Sequence, residues 1–112
     1  DLDTILISIS KTHNLVVVDS SCKTGSISGE IISMVVESNF DSLERAPLRI
    51  TSPDHVVPTS HYQADYYYQD AKQIANHILD FLNIKDDLGL INKKLKTTGP
   101  ADVPNREFHG PF

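Results

Sequence analysis

Cys22 and the three residues after it, Lys23-Thr24-Gly25, are the first candidates for chemistry in this sequence. They stand between an apolar run and a segment with a helical pattern. Free backbone N–H groups at a helix start can bind an anion or stabilise a thiolate. The stretch lacks the glycines of the phosphate-binding loop, Gly-x-x-x-x-Gly-Lys-Ser/Thr, and no histidine follows Cys22 at a recognisable pairing spacing. We therefore expect an inert, partly buried thiol, and the turn keeps two interpretations, an anion site and a packing turn.

Two histidines and two aspartates could form a metal site, because imidazole and carboxylate groups are common ligands. They are His55, His61, Asp54 and Asp65. Their spacing matches no standard zinc pattern, so a polar loop is the preferred interpretation. The run Tyr66-Tyr67-Tyr68 could stack on bases, contact a protein partner or cover the next helix. A partner contact or a cover is favoured, because tyrosine is enriched at interfaces and the chain lacks a basic groove for bases.

The composition of the chain excludes several classes of function. A net charge of −5 in 112 residues argues against a nucleic-acid partner, which requires a basic face. The single cysteine cannot form an internal disulfide or a zinc cluster, and it favours a reducing, cytoplasmic setting. The chain contains no apolar run near the length needed to span a membrane, so we expect no membrane partner. Its length allows one domain at most.

The central elements predict a βαβ unit. Leu15–Asp19 is an apolar run that suits a strand buried on both faces, as found in parallel sheets covered by helices. Ser28 to Phe40 has a helical pattern, and Leu48–Thr51 follows as a second short strand. A strand, a helix and a strand in this order predict an α/β fold of three layers, with a mostly parallel sheet and helices on both faces.

The flanking segments are of three kinds. Asp1 to Lys11 fits a strand, through alternating isoleucines, or a helix with Asp1 or Asp3 as its N-cap. A long loop is predicted to run to Gln69, where Asp70 caps an amphipathic helix that ends near Leu82. Residues 85–112 read as an irregular extension, whose Leu88, Leu90, Ile91 and Phe108 could cover the domain formed by residues 1–84.

Four stretches, in order and almost without gaps between Leu2 and Leu82, resemble the C-terminal domain of the transketolase type. In this chain they are Asp3-Thr4-Ile5-Leu6 through Lys11-Thr12, Leu15–Asp19, Thr24-Gly25 through Glu30-Ile31, and Arg49 to Asp54 with Pro58 after it. The corresponding family patterns are Leu-Asp…Thr-Ile…Ser-Val-x-Lys-Thr, Leu-Val-Val-Val-Glu, Thr-Gly-Gly-x-Gly-x-Glu-Ile and Arg-Val-x-Gly-x-Asp-x-x-x-Pro. The likeness is strongest to the beta subunit of thiamine diphosphate-dependent 2-oxoacid dehydrogenases, the pyruvate and branched-chain enzymes.

The chain departs from the family at four positions. Ser26 and Ser28 replace glycines, which predicts a looser turn or a partner backbone that lies farther away. Thr59 stands where the family often has tyrosine, and Ala64 where it often has glutamate. We expect the contacts of this loop to differ from those of the family.

The resemblance implies a subunit of an enzyme that decarboxylates a 2-oxo acid and passes the acyl group to a lipoyl carrier. The intact enzyme would use thiamine diphosphate and magnesium, which the family holds in a pyrimidine-binding domain that this sequence does not contain. We therefore expect no catalytic, cofactor-binding or metal-binding residue in this chain. The implied partners are further copies of the chain, an alpha subunit and a lipoyl acyltransferase component.

The resemblance also favours one interpretation of the turn, a packing turn that forms part of an assembly surface. The predicted interface residues are Lys23, Thr24, Gly25, Glu30, Asp54, Pro58, Tyr66 and Tyr67. Three alternatives stay open. The chain could be a stand-alone protein-interaction module, a small α/β ligand-binding domain that uses the turn at Thr24-Gly25, or part of another transketolase-type enzyme.

Overall fold

The computed structural model describes residues 1–86, 89–95 and 99–103. The chain forms two compact units, Asp1–Asp54 and His55–Phe112. The predicted domain boundary near residue 84 stays a prediction.

The N-terminal segment is a helix, α1 (Leu2–Thr12), and not a strand. Asp1 is its N-cap and accepts a hydrogen bond from the Thr4 amide at 3.1 Å. Because side chains four residues apart share one helix face, Ile5 and Ile9 point the same way, and Ile9 is buried while Ile7 stays 57% exposed. Burial along this segment therefore follows the helical spacing of the apolar residues and not the strand-like alternation of the isoleucines.

The sheet of the first unit pairs strand β1 (Val16–Cys22) with β2 (Leu48–Ser52) in parallel. Helix α2 (Ile27–Asn39) connects the strands and packs against β1 and α1. This arrangement confirms the predicted α/β fold, although β1 runs three residues past the predicted end at Asp19. The register of the two strands shifts between Asp19 and Cys22.

The core of the first unit is small. Ile9, Val35 and Ile50 are its buried apolar side chains, from α1, α2 and β2 respectively. The prediction that the run of valines is buried on both faces is wrong for Val18, which is 51% exposed. The reason is that the sheet has only two strands among the described residues, so part of β1 has no covering layer. The predicted end of α2 at Phe40 is also wrong, because Phe40–Ser42 form a separate 3₁₀ turn.

The second unit contains a helix that the sequence did not predict, α3 (His61–Tyr67), inside the predicted long loop. Sequence reasoning missed it because tyrosines are typical of strands. Ser60 and Gln63 have the spacing of a capping box, although Ser60 makes no side-chain cap bond in the structure. Ala64 and Tyr67 are its buried residues.

Helix α4 (Ala71–Leu82) confirms the prediction of a capped helix. Asp70 and Gln73 form a reciprocal capping box, since the Gln73 amide donates to Asp70 Oδ1 at 2.7 Å and the Asp70 amide donates to Gln73 Oε1 at 2.8 Å.

A short helix, α5 (Leu90–Lys94), corrects the prediction of an irregular extension, because the Asp86 carboxylate accepts the Leu90 and Ile91 amides. The predicted covering residues Leu88 and Phe108 lie outside the described residues. Across the described segments, no helix is both long and apolar enough to cross a membrane.

Candidate functional site

The turn Lys23-Thr24-Gly25 is fixed by a carboxylate from the end of the neighbouring strand. Asp54, two residues after β2, accepts the Thr24 amide at Oδ1 and the Thr24 hydroxyl at Oδ2, both at 2.7 Å. Gly25 has φ +75°, a left-handed conformation that glycine adopts without strain. These contacts tie the carboxyl ends of β1 and β2 together, at the edge of a parallel sheet where ligands and partners commonly bind.

A second hydrogen bond, from a side chain on β2, fixes the same turn. Arg49 on β2 donates from Nη1 to the Lys23 carbonyl at 3.3 Å. The guanidinium passes close to α2, because a Cβ added at Gly29 would lie 3.3 Å from the same Nη1. The family motif contained both Arg49 and Asp54, and the structure shows that they act together on one turn.

The Asp19 carboxylate accepts hydrogen bonds from Ser21 on β1 and from a backbone amide in the first turn of α2. Its Oδ1 accepts the Ser21 amide at 3.0 Å and the Ser21 hydroxyl at 2.6 Å, while Oδ2 accepts the Ser28 amide at 3.3 Å. An anion at this helix start would compete with a carboxylate that the chain supplies itself. The arrangement therefore favours a packing turn over an anion-binding turn.

The hydroxyls that replace two family glycines bind each other. Ser26 and Ser28 share a hydrogen bond between their Oγ atoms, and the Ser28 side chain is fully buried. A buried hydroxyl without a partner would cost roughly 1–3 kcal/mol. The pairing explains how the turn accepts both serines while Asp54 and Arg49 keep it in place.

Both carboxylates at this edge have depressed pKa values. Hydrogen bonds from the Thr24 hydroxyl, and then from the Thr24 amide, hold the pKa of Asp54 below its ordinary value of 3.8. The Ser21 hydroxyl and then the Ser21 amide do the same for the pKa of Asp19. The charged form of each carboxylate is therefore favoured in the folded unit.

Low pH should reduce the stability of the first unit by protonating the carboxylates at this edge of the sheet. A group whose pKa is lower in the folded state stabilises that state above its unfolded pKa, and the contribution is lost as the pH falls through the folded pKa. We expect the urea midpoint of the first unit to fall between about pH 5 and about pH 2, and to fall less in Asp54→Asn, which carries no titrating carboxyl there. Equal acid losses in the two proteins would contradict the role given to Asp54.

A free thiol and an apolar side chain are exposed around the turn. Cys22 is exposed with a free thiol, so the prediction of a partly buried cysteine is wrong, because the strand extends to Cys22 at an uncovered edge. Ile27, at the start of α2, is 67% exposed. The predicted interface residue Glu30 is exposed one turn farther along α2. An exposed apolar residue with a polar rim is the usual composition of a protein interface.

The second unit carries a groove of about 790 Å³ between the loop after His55 and helix α3. Val56, Val57 and the predicted interface residues Pro58 and Tyr66 line it, and Tyr62 lies one turn before Tyr66 on the same helix. Tyr62 and Tyr66 are 88% and 87% exposed. Sequence reasoning missed Tyr62, although its spacing of four residues from Tyr66 is a helical signal. We call this set the tyrosine groove.

Tyr67 does not belong to this exposed surface. It is only 6% exposed. Its ring packs edge-on against Tyr68 at 5.0 Å and at a tilt against His55 at 5.4 Å, both measured between ring centroids. Helix α3 turns it inward beside Ala64, and its place among the interface residues stays a prediction. Tyr67 instead supports the alternative interpretation, a cover within its own unit.

The histidines and aspartates considered as metal ligands have separate partners. Asp54 binds Thr24, His61 contacts Asp102 at 2.6 Å, and Asp65 accepts the Ala101 amide at 3.3 Å. Within residues 1–86, 89–95 and 99–103, no group of three His, Cys, Asp or Glu side chains is placed to hold a metal ion.

Comparisons with known proteins agree with the architecture. The family model described as Transketolase, C-terminal domain, matches residues 1–74. The chain is 46% identical over 66 residues to the pyruvate dehydrogenase E1 component subunit beta of Mycoplasma pneumoniae, a match that covers 56% of this chain and 20% of the relative. The same subunit of Mesostigma viride is 41% identical over 60 residues, covering 54% of this chain and 18% of the relative.

A relative with a different printed activity matches a longer segment. The acetoin:2,6-dichlorophenolindophenol oxidoreductase subunit beta of Bacillus subtilis is 33% identical over 82 residues, which is 73% of this chain and 24% of the relative. This chain thus spans only a small part of each of these three relatives. Because the family model covers more than half of the sequence, the protein belongs to the transketolase C-terminal domain family.

Proposed function

We propose that this chain is the C-terminal, assembly-forming portion of the beta subunit of a thiamine diphosphate-dependent 2-oxoacid dehydrogenase. The intact enzyme would oxidatively decarboxylate a 2-oxo acid and transfer the acyl group to a lipoyl carrier. The names of the relatives from Mycoplasma and Mesostigma support the subunit and its reaction class. An alpha subunit, a second copy of this chain and a lipoyl acyltransferase component are the partners we propose, in a reducing, cytoplasmic setting.

The observation that carries the assembly role is the internal satisfaction of the turn at the sheet edge. The carboxylates of Asp54 and Asp19 accept hydrogen bonds from Thr24, Ser21 and Ser28. Among the described residues, neither of them belongs to a group of three side chains that could hold a metal ion. These residues do not fit the cofactor, and we place thiamine diphosphate and magnesium on other parts of the enzyme. This edge of the sheet presents a turn fixed by hydrogen bonds, with an exposed Ile27 beside it.

The two-stranded sheet gives independent support. Among the described residues the sheet has two parallel strands, so one backbone edge of each strand has no paired strand there, and a sheet of two strands is marginal without further layers. Exposed Ile7 and Val18 add apolar surface on the same unit. Cover from another part of the enzyme would remove this surface from water.

A chimera tests this function. The B. subtilis pyruvate dehydrogenase beta subunit matches this chain at 30% identity over 83 residues. We expect the aligned segment of this chain to replace its counterpart there with retention of alpha-subunit binding and pyruvate turnover. The measurements are size-exclusion chromatography with the B. subtilis alpha subunit and the rate of pyruvate-dependent reduction of an artificial acceptor. A chimera that is folded by circular dichroism yet fails to bind the alpha subunit would contradict the proposal.

A second candidate is a beta subunit of an acetoin-type oxidoreductase, which the longer match to the acetoin enzyme favours. The same graft into that subunit distinguishes the two. Assembly in the acetoin subunit but not in the pyruvate dehydrogenase subunit would support the second candidate.

A further inference from the structure

Helix α3 has little to hold it in place by its own sequence. It is seven residues long, and its N-cap residue, Ser60, makes no side-chain cap bond. Isolated helices of this length are unstable in water, because nucleation fixes several residues before many hydrogen bonds form. Yet α3 carries both exposed tyrosines of the tyrosine groove. The helix must therefore depend on contacts from elsewhere in its unit.

Residues 99–103 supply two such contacts. Asp102 Oδ2 lies 2.6 Å from His61 Nδ1, and the Ala101 amide donates to Asp65 Oδ1 at 3.3 Å. The segment is itself a closed turn, since the Val103 amide donates to the Pro100 carbonyl at 3.1 Å. His61 and Asp65 are four residues apart and share one face of α3, so the turn bridges successive turns of the helix.

Helix α3 also has contacts with other neighbours among the described residues. Gln73 Nε2 on α4 donates to the Asp65 carbonyl at 3.5 Å, the upper limit of a hydrogen bond. Ala64 and Tyr67 pack on the buried side. The bridge formed by residues 99–103 is thus the contact that spans both ends of the exposed part of the helix.

We propose that residues 99–103 are a strap that keeps α3 folded, and that release of the strap dismantles the tyrosine groove. The proposed effect is a change in the conformation of α3. With the strap bound, Tyr62 and Tyr66 stand on one helix face. Without it, the short helix frays and the two rings lose their common orientation. Because coupling between two elements is reciprocal, loss of α3 also frees the strap.

The test is amide hydrogen exchange of the full 112-residue chain with the substitution Asp102→Ala. Residue 102 lies outside α3, so any change in the helix arises through the contact. Because a largely exposed pair of this kind contributes little, we expect exchange of the Ala64 and Tyr68 amides to accelerate only about threefold. Asp80→Ala, which removes the same atoms from an exposed position on α4, is the matched control and should leave these rates unchanged.

Two further variants separate the strap from ordinary helix stability. Asp65→Ala improves the intrinsic helix propensity of α3 but removes the Ala101 acceptor, so propensity alone predicts slower exchange and the strap predicts faster exchange. Ala64→Gly weakens α3 directly and should accelerate exchange of the Ala101 amide. Wild-type rates in Asp102→Ala, slower α3 exchange in Asp65→Ala, or an unchanged Ala101 rate in Ala64→Gly would each overturn the proposal. None of these outcomes depends on whether the chain is part of a dehydrogenase.

Discussion

Replacing Val35 by aspartate is expected to unfold the Asp1–Asp54 unit. Val35 on α2 has no exposed surface, and it shares the small core with Ile9 and Ile50. An unpaired carboxylate at such a position costs about 3–5 kcal/mol or protonates at a similar cost. The total stability of a small domain is about 5–15 kcal/mol, and a unit of this size lies at the lower end.

Circular dichroism and urea denaturation measure this effect. The matched control is Met34→Asp, because Met34 is the adjacent residue on α2 and is 37% exposed. We expect the control to lower the free energy of unfolding by less than about 1 kcal/mol, as is usual for exposed positions. A folded Val35→Asp protein with a native urea midpoint would contradict the assignment of the core.

Replacing Ile27 by arginine is expected to raise the dissociation constant for self-association of the chain at least about tenfold, while the fold persists. Ile27 is 67% exposed and follows the turn that Asp54 and Arg49 hold in place. A buried apolar anchor at the centre of an interface contributes roughly 2 kcal/mol or more, and a charge in its place adds a desolvation cost.

Ser33→Arg provides the control for that measurement. Ser33 is exposed on the same helix, and six residues of helix place it on a different face from Ile27. The control adds the same side chain and charge, so equal dissociation constants for the two variants would show that the surface beside the turn is not the interface.

Much of the first unit could be predicted because its local signals agree. The apolar run, the helical stripe and the second apolar run gave a parallel pair of strands, which the register of Val16 with Leu48 confirms. The choice between strand and helix for α1 could not be made from periodicity, because both periods fit the same isoleucines. The Asp1 cap and the burial of Ile9 favour the helix.

The details that sequence reasoning missed depend on contacts between distant residues. Thr24 and Asp54 are thirty positions apart, and only the meeting of the two strand ends brings them together. Helix α3 is only seven residues long, and two of its contacts come from Ala101 and Asp102, far along the chain. Tyr67 was placed on the surface because a run of three tyrosines does not show which ring turns inward.

Sedimentation equilibrium of the 112-residue chain tests the central claim, that this domain is an assembly surface, most directly. The open edges of the two-stranded sheet and the exposed Ile7, Val18 and Ile27 predict reversible self-association, with a molecular mass that rises with concentration above the monomer value of 12.5 kDa. We expect Ile27→Arg to shift the equilibrium toward monomer. A chain that sediments as a monomer throughout the submillimolar range, with Ile27→Arg indistinguishable from it, would contradict the claim.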